Sequence, residues 1–170
     1  MRSYAKLIGE IVWASNFTFG QFEILFCHVA SPGDFIVGRS MWHSITSDSA
    51  QLIILRNAVN SSSKLTKNIR DKILWTIDMA EKLSRSRNDA VHSATISIVE
   101  NGQAKIIPSD IGTKQSRSNK LREEHDLILK FRKVRGDILQ LGQYVLCLWP
   151  IVAGFDLLSP LPHRPRLQSV

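Results

Sequence analysis

The spacing of apolar residues divides most of the chain into long helical segments. From about Tyr4 to Ala30, apolar residues recur every three or four positions, as on one face of an α-helix. Ser31-Pro32-Gly33-Asp34 predicts the end of this helix, because proline interrupts the hydrogen-bond ladder and glycine permits a reversal. A second helix is predicted over roughly Met41 to Asn60, with these core positions: Ile45, Leu52, Ile53, Leu55 and Val59.

The third predicted helix has the most regular apolar stripe and leads directly into a polar segment. Thr66 is a candidate N-cap, and the residues that follow form one apolar face. The sequence leaves open whether this helix runs through His92, or breaks at Ser84 or Ser86 and restarts, because serine suits both a helix interior and a cap. The predicted face contains Ile69, Ile73, Ile77, Ala80 and Leu83.

After His92 the apolar pattern changes to the alternation of β-strands. Two β-prone runs flank Asn101-Gly102, which is a strong signal for a hairpin with a tight turn. A polar, basic loop is predicted at 109–119, followed by a last helix from about Lys120 to Trp149. The apolar face of that helix contains Leu121, Ile128, Phe131, Ile138, Leu141, Val145 and Leu148.

These elements predict an all-α fold with one small addition. Long amphipathic helices joined by short connections pack mostly antiparallel, so we expect an antiparallel bundle of four to five helices with a small β-hairpin inserted before the last long helix. Residues 1–150 are predicted to form a single domain. Residues 151–170 form a Pro-rich C-terminal tail that we expect to lack regular structure.

Composition indicates a globular cytoplasmic protein with a basic surface. Of the 170 residues, 44% are hydrophobic and 22% are charged, and the net charge of +7 favours polyanionic partners such as RNA. Cys27 and Cys147 both lie in apolar helical patterns, so we expect them in the core of a protein with reduced thiols. We recognise no export signal, and the apolar run from Tyr144 to Phe155 is shorter than the ~20 residues that cross a bilayer.

The segment from Arg87 to His92 concentrates the groups needed for phosphate chemistry. On a helix, Asn88 and His92 share one face, whereas Arg87 lies about 140° away from His92. If the segment begins a helix, its free amides would add to the guanidinium in attracting a phosphate. An arginine for the phosphate, a histidine for the proton and an asparagine for orientation are sufficient to cleave RNA without a metal, with the 2′-hydroxyl as nucleophile.

Arg87-Asn88-x3-His92, at the end of an amphipathic helix in a helical frame, resembles the Arg-x(4–6)-His signature of HEPN domains. The resemblance implies a helical bundle and a homodimer whose two motifs meet at the two-fold axis. It further implies metal-independent RNA cleavage that leaves a 2′,3′-cyclic phosphate, with roles in toxin–antitoxin, antiviral-defence or RNA-processing systems. An antitoxin or another partner protein belongs to that expectation. The catalytic residues it implies are Arg87, His92 and Asn88.

Two other interpretations of the motif remain open. The same fold serves as a catalytically inactive dimerisation or interaction module if the motif only supports a dimer or partner interface. In its simplest, structural form, Arg87 and Asp89 solvate a helix end, Asn88 caps it and His92 fills a semi-buried position. A basic nucleic-acid-binding bundle without chemistry is the third possibility.

Arg85 also satisfies the signature, at a longer spacing to His92, but it ranks second because it lacks a comparable polar neighbour beyond Ser86. The candidate RNA-binding residues are Arg85, Lys82, Arg132, Lys133 and Arg135.

The sequence gives no reason to expect a metal or a cofactor. Cys27, His28, His43 and Cys147 do not have the spacing of zinc ligands. Glycine-rich dinucleotide or nucleotide-triphosphate loops and the G-x-S-x-G nucleophile motif do not occur.

Overall fold

The computed structural model describes residues 2–92, 95–100, 103–108, 127–155 and 160–170, and the chain is predominantly α-helical. Its helices are α1 (Arg2–Ala30), α2 (Phe35–His43), α3 (Asp48–Ser61), α4 (Lys67–His92) and α5 (Leu127–Val152).

Two strands follow α4 in the chain. They are β1 (Thr95–Glu100) and β2 (Gln103–Pro108), which pair antiparallel. The predicted Asn101-Gly102 turn lies outside the described residues, as do the predicted loop at 109–119 and the expected start of the last helix at 120–126.

The first and last helices form the main packing interface of the fold. Tyr4 lies 6.3 Å from Phe131, measured between ring centroids, and the Thr18 hydroxyl donates to the carbonyl of Ile138 at 2.9 Å. Further along both helices, the rings of His28 and Trp149 are stacked with centroids 5.7 Å apart. Because these contacts advance together along both helices, α1 and α5 run in the same direction.

Helices α3 and α4, which position the site, run in opposite directions. Between α3 and α4, Arg56 Nη2 donates to Asp78 Oδ1 at 2.9 Å, and Arg70 Nη2 donates to the carbonyl of Ser62 at 2.7 Å. The core is contributed mainly by α1, α3, α4 and α5. Fully buried large side chains within it are Ile11, Phe22, Leu25, Leu52, Leu55, Ile73, Ile77, Phe131 and Leu141.

The predicted helix from Met41 to Asn60 is wrong, because the structure divides this region into α2 and α3. Asp34 caps α2 by accepting from the Val37 amide at 3.0 Å, and Ser47 caps α3 by accepting from the Ala50 amide at 3.1 Å. One consequence is that Ile53 is 54% exposed, although the continuous helix had placed it in the core.

Helix α5 continues past the predicted end at Trp149 and includes Pro150. Pro150 lies in the last turn, where it cannot donate to the carbonyl four residues earlier, and the chain leaves the helix at Gly154, whose φ of 79° is in the left-handed region that favours glycine. Residues 160–170 contain no helix or strand but contact the helices. Lys72 Nζ donates to the Pro162 carbonyl at 2.8 Å, and Leu167 packs against the core.

The two cysteines have different environments. Cys27 is buried, and Gly38 of α2 approaches it so closely that a Cβ at position 38 would lie 2.9 Å from the Cys27 Cα. Cys147 is exposed on α5, so its predicted core position is wrong. Among the residues that the structure describes, none of the helices has the length and hydrophobicity that crossing a bilayer requires.

Candidate functional site

Helix α4 runs without a break through Ser84 and Ser86 and ends at His92. The Arg87–His92 segment is therefore the C-terminal end of a helix and does not begin a new one. The helix dipole is negative at this end, and the amides there are bonded within the helix, so the backbone of the motif offers no anion site. The hypothesis that free amides of this segment attract phosphate is therefore wrong.

The three motif side chains have different exposures. Arg87 is turned toward the protein, with 21% of its side chain exposed, and Ala90 one turn later is buried. Asn88 is half-buried, whereas His92 is exposed at the helix terminus. No hydrogen bond or ion pair joins Arg87 to His92 in the described part of the chain. The regular helix thus presents Asn88 and His92 on one face and directs the guanidinium elsewhere.

The Arg87 guanidinium is held by an aspartate from α3. Its Nη2 donates to Oδ2 of Asp48, in the first turn of α3. The Ser47 cap fixes the backbone at this point, which determines where the aspartate lies. Because Asp48 is 43% exposed, water screens this ion pair, and we assign it a modest contribution to stability.

A groove of about 590 Å³ separates the start of α3 from the end of α4. Asp48 and Glu81 supply negative charge, while Arg85 and Arg87 supply positive charge, so the groove is electrostatically balanced. Its apolar lining residues are Leu52 and Ile53. The other lining residues include Thr46, Ser47, Ser49, Ser84 and Asn88.

Arg87 also borders a second, smaller cavity. This cavity has a volume of about 20 Å³, and its walls include Ser15 and Phe19 of α1 and Ile138 of α5. Arg87 therefore lies between the core and the groove, and its side chain contributes to packing as well as to the charge of the groove.

The candidate RNA-binding residues occupy two places. Arg85 lines the groove, and Lys82 is exposed on α4. Arg132 and Arg135 line a separate cleft of about 250 Å³ with Lys6 and Glu10 of α1.

Pairing distinguishes the three basic residues that were predicted on α5. Arg135 Nη1 donates to Glu10 Oε2, whereas Arg132 and Lys133 are exposed. Arg85 of α4 and the two arginines of α5, Arg132 and Arg135, thus line different clefts.

Sequence reasoning missed Asp48 as a member of the site. The signal was present in Ser47-Asp48-Ser49, since a serine cap followed by an acidic residue is typical of a helix start. Reading 41–60 as one helix placed Asp48 in a helix interior. Within the described ranges, no three His, Cys, Asp or Glu side chains are grouped so that they could hold a metal ion.

No family model matches this chain. Comparison with the curated proteins and with the solved structures likewise finds no match.

Proposed function

We propose that the protein is a HEPN-like, metal-independent endoribonuclease that acts as a cytoplasmic homodimer in toxin–antitoxin or antiviral-defence biology. The single observation that carries the proposal is the unbroken end of α4. Asn88 and His92 lie on the same face of this helix end, and His92 is exposed there. The half-buried Arg87 directly precedes Asn88. A helical frame around this motif is what the HEPN resemblance implies.

In the proposed reaction each side chain has one role. The 2′-hydroxyl of the RNA attacks the adjacent phosphorus, the bond to the 5′-oxygen breaks, and the products are a 2′,3′-cyclic phosphate and a 5′-hydroxyl. His92 transfers the proton, Arg87 stabilises the charge on the phosphate, and Asn88 orients the reacting groups. Since Arg87 and His92 diverge within one copy, we propose that the active site combines the two motifs of a dimer.

The test is incubation of the purified protein with RNA in the presence of a chelator. We expect cleavage to cyclic-phosphate ends in the wild type and loss of cleavage by at least 100-fold in H92A, the usual size of a general acid–base contribution. H163A is the matched control, because His163 is also exposed and lies outside the motif. Equal activity of H92A and H163A would refute the proposal.

A second candidate is a catalytically inactive interaction module of the same fold. The Arg87–Asp48 ion pair favours it, because an arginine that is paired with an aspartate of the neighbouring helix has a structural role that needs no substrate. In that case the wild type leaves RNA intact, while R87A lowers the melting temperature by more than R85A does. Cleavage by the wild type excludes this candidate.

A further inference from the structure

The groove between α3 and α4 has the features of a phosphate-binding site in which the Asp48 carboxylate occupies the place of the phosphate. A carboxylate and a phosphate both present oxygens that arginine can bind through its terminal nitrogens. Asp48 holds Arg87 Nη2 in this way, and no other partner of the guanidinium exists among the described residues. Within this part of the chain, its remaining donors are available to a larger anion.

The start of α3 adds a second source of attraction for an anion. The amides of Asp48 and Ser49 precede the first hydrogen bond of that helix, which the Gln51 amide donates to the Ser47 carbonyl at 3.0 Å. The positive end of the α3 dipole therefore faces the groove, opposite the arginines of α4. The start of α3 therefore supplies the free amides and the positive dipole end that the C-terminal end of α4 lacks.

We propose that this groove binds a backbone phosphate of single-stranded RNA, and that Asp48 is an internal anion which the phosphate displaces from Arg87. The inference rests on the proposed ribonuclease function and adds to it a substrate-binding site and an autoinhibitory contact. Arg85 is exposed on the same wall of the groove, and in this proposal it contacts the RNA strand next to the phosphate that displaces Asp48.

The charges in the groove make this exchange feasible. Glu81, the other acidic lining residue, is bonded to Arg56 at 3.1 Å and so has a cationic partner of its own. The Asp48–Arg87 pair is screened by water because Asp48 is 43% exposed, and such pairs are broken easily. An incoming phosphate would replace one charged contact of Arg87 with another and release the aspartate to solvent.

The test measures binding without cleavage. Fluorescence anisotropy would report the affinity for a labelled single-stranded oligoribonucleotide whose 2′-hydroxyls are methylated, which prevents attack on the phosphate. D48N is the informative variant. D78N is its matched control, because Asp78 also forms an ion pair between α3 and α4 but does not line the groove.

We expect D48N to tighten binding by about two- to fivefold relative to D78N, the equivalent of one exposed ion pair. The gain should vanish in the R87Q background, because the aspartate acts only through that arginine. The inference is overturned if D48N and D78N bind alike, or if the gain persists with R87Q. If circular dichroism shows that D48N does not fold, D48S replaces it in the same comparison, because serine keeps a polar side chain in the first turn of α3.

This result is separable from the fate of the proposed function. Tighter binding by D48N stands even if the wild type never cleaves RNA, whereas His92-dependent cleavage with equal binding by D48N and D78N refutes the displacement alone.

Discussion

The buried carboxylate of Asp137, in the middle of α5, accepts hydrogen bonds from the backbone amide of Gln168 at 3.0 and 2.9 Å. Ser169 donates to the same carboxylate from its amide, at 2.6 Å, and from its hydroxyl. Asp137 is 1% exposed, so the C-terminal segment supplies the polar partners that this buried acid requires.

We predict that D137A destabilises the protein by about 2 kcal/mol, because it leaves donors of residues 168 and 169 without their acceptor. S169A, which removes only the hydroxyl donor, should cost less. Urea denaturation of both variants measures the difference. If D137A unfolds at the wild-type midpoint, the contact between α5 and the C-terminal segment does not form in solution.

The close approach of α1 and α5 at Gly142 predicts a steric cost for any larger residue. A Cβ at this position would lie 2.6 Å from the Thr18 hydroxyl and 2.9 Å from a ring carbon of Phe17. G142A should therefore lose about 1–3 kcal/mol, despite the better helix propensity of alanine. G136A is the matched control on the same helix, since nothing lies within 4 Å of its added carbon. Thermal melts should show that G136A is neutral or stabilising. Equal losses of stability in the two variants would contradict the packing explanation.

The stacking of His28 on Trp149 predicts a specific dependence of stability on pH. Burial lowers the pKa of His28 below its ordinary value of 6.5, because desolvation disfavours the imidazolium. Below pH 6.5 the unfolded state then binds more protons than the folded state, so stability falls as the pH decreases toward the folded-state pKa and levels off below it.

H28Q should lose less stability than the wild type between pH 7 and pH 5, since glutamine does not titrate. The measurement is the free energy of unfolding in urea at both pH values, with H163Q as a control at an exposed histidine. An identical loss in H28Q and the wild type would show that His28 does not contribute to the acid sensitivity.

The two thiols should differ in reactivity. Cys147 is exposed, whereas Cys27 is buried and its pKa is raised, mainly by desolvation and also by the nearby Glu23 carboxylate. Ellman's reagent should therefore titrate one thiol per folded chain and two per unfolded chain. The C147S variant should show no fast-reacting thiol in the folded state, and a fast reaction in that variant would contradict the buried position of Cys27.

The parts of the fold that follow from local periodicity were predictable. The stripe of Ile73, Ile77 and Ala80 identified one face of α4, and these residues are buried. The start of α4 was also predictable, since Thr66 Oγ1 accepts from the Ile69 amide at 3.4 Å. Both features depend on residues within a few positions of one another.

The parts that depend on tertiary contacts were not predictable in the same way. Gln51 Nε2 donates to the carbonyls of Trp42 and Ile45, at 3.3 and 3.0 Å, and this stabilises the break between α2 and α3 that apolar spacing concealed. Likewise, Asp48 reaches Arg87 only because α3 and α4 cross as they do. The partners of Asp137 were not predictable either, since Gln168 and Ser169 lie 31 and 32 positions further along the chain.

The parallel pairing of α1 with α5 also constrains how the chain can fold as it is made. Thr18 and its acceptor Ile138 are separated by 120 positions, so the first helix emerges from a ribosome long before its principal partner exists. At synthesis rates of about 5–20 residues per second, that interval lasts roughly 6–24 s. Through this interval Tyr4 lacks its contact with Phe131, and His28 lacks its contact with Trp149. A chaperone that shields the nascent first helix would therefore act while the face that later packs on α5 is still uncovered.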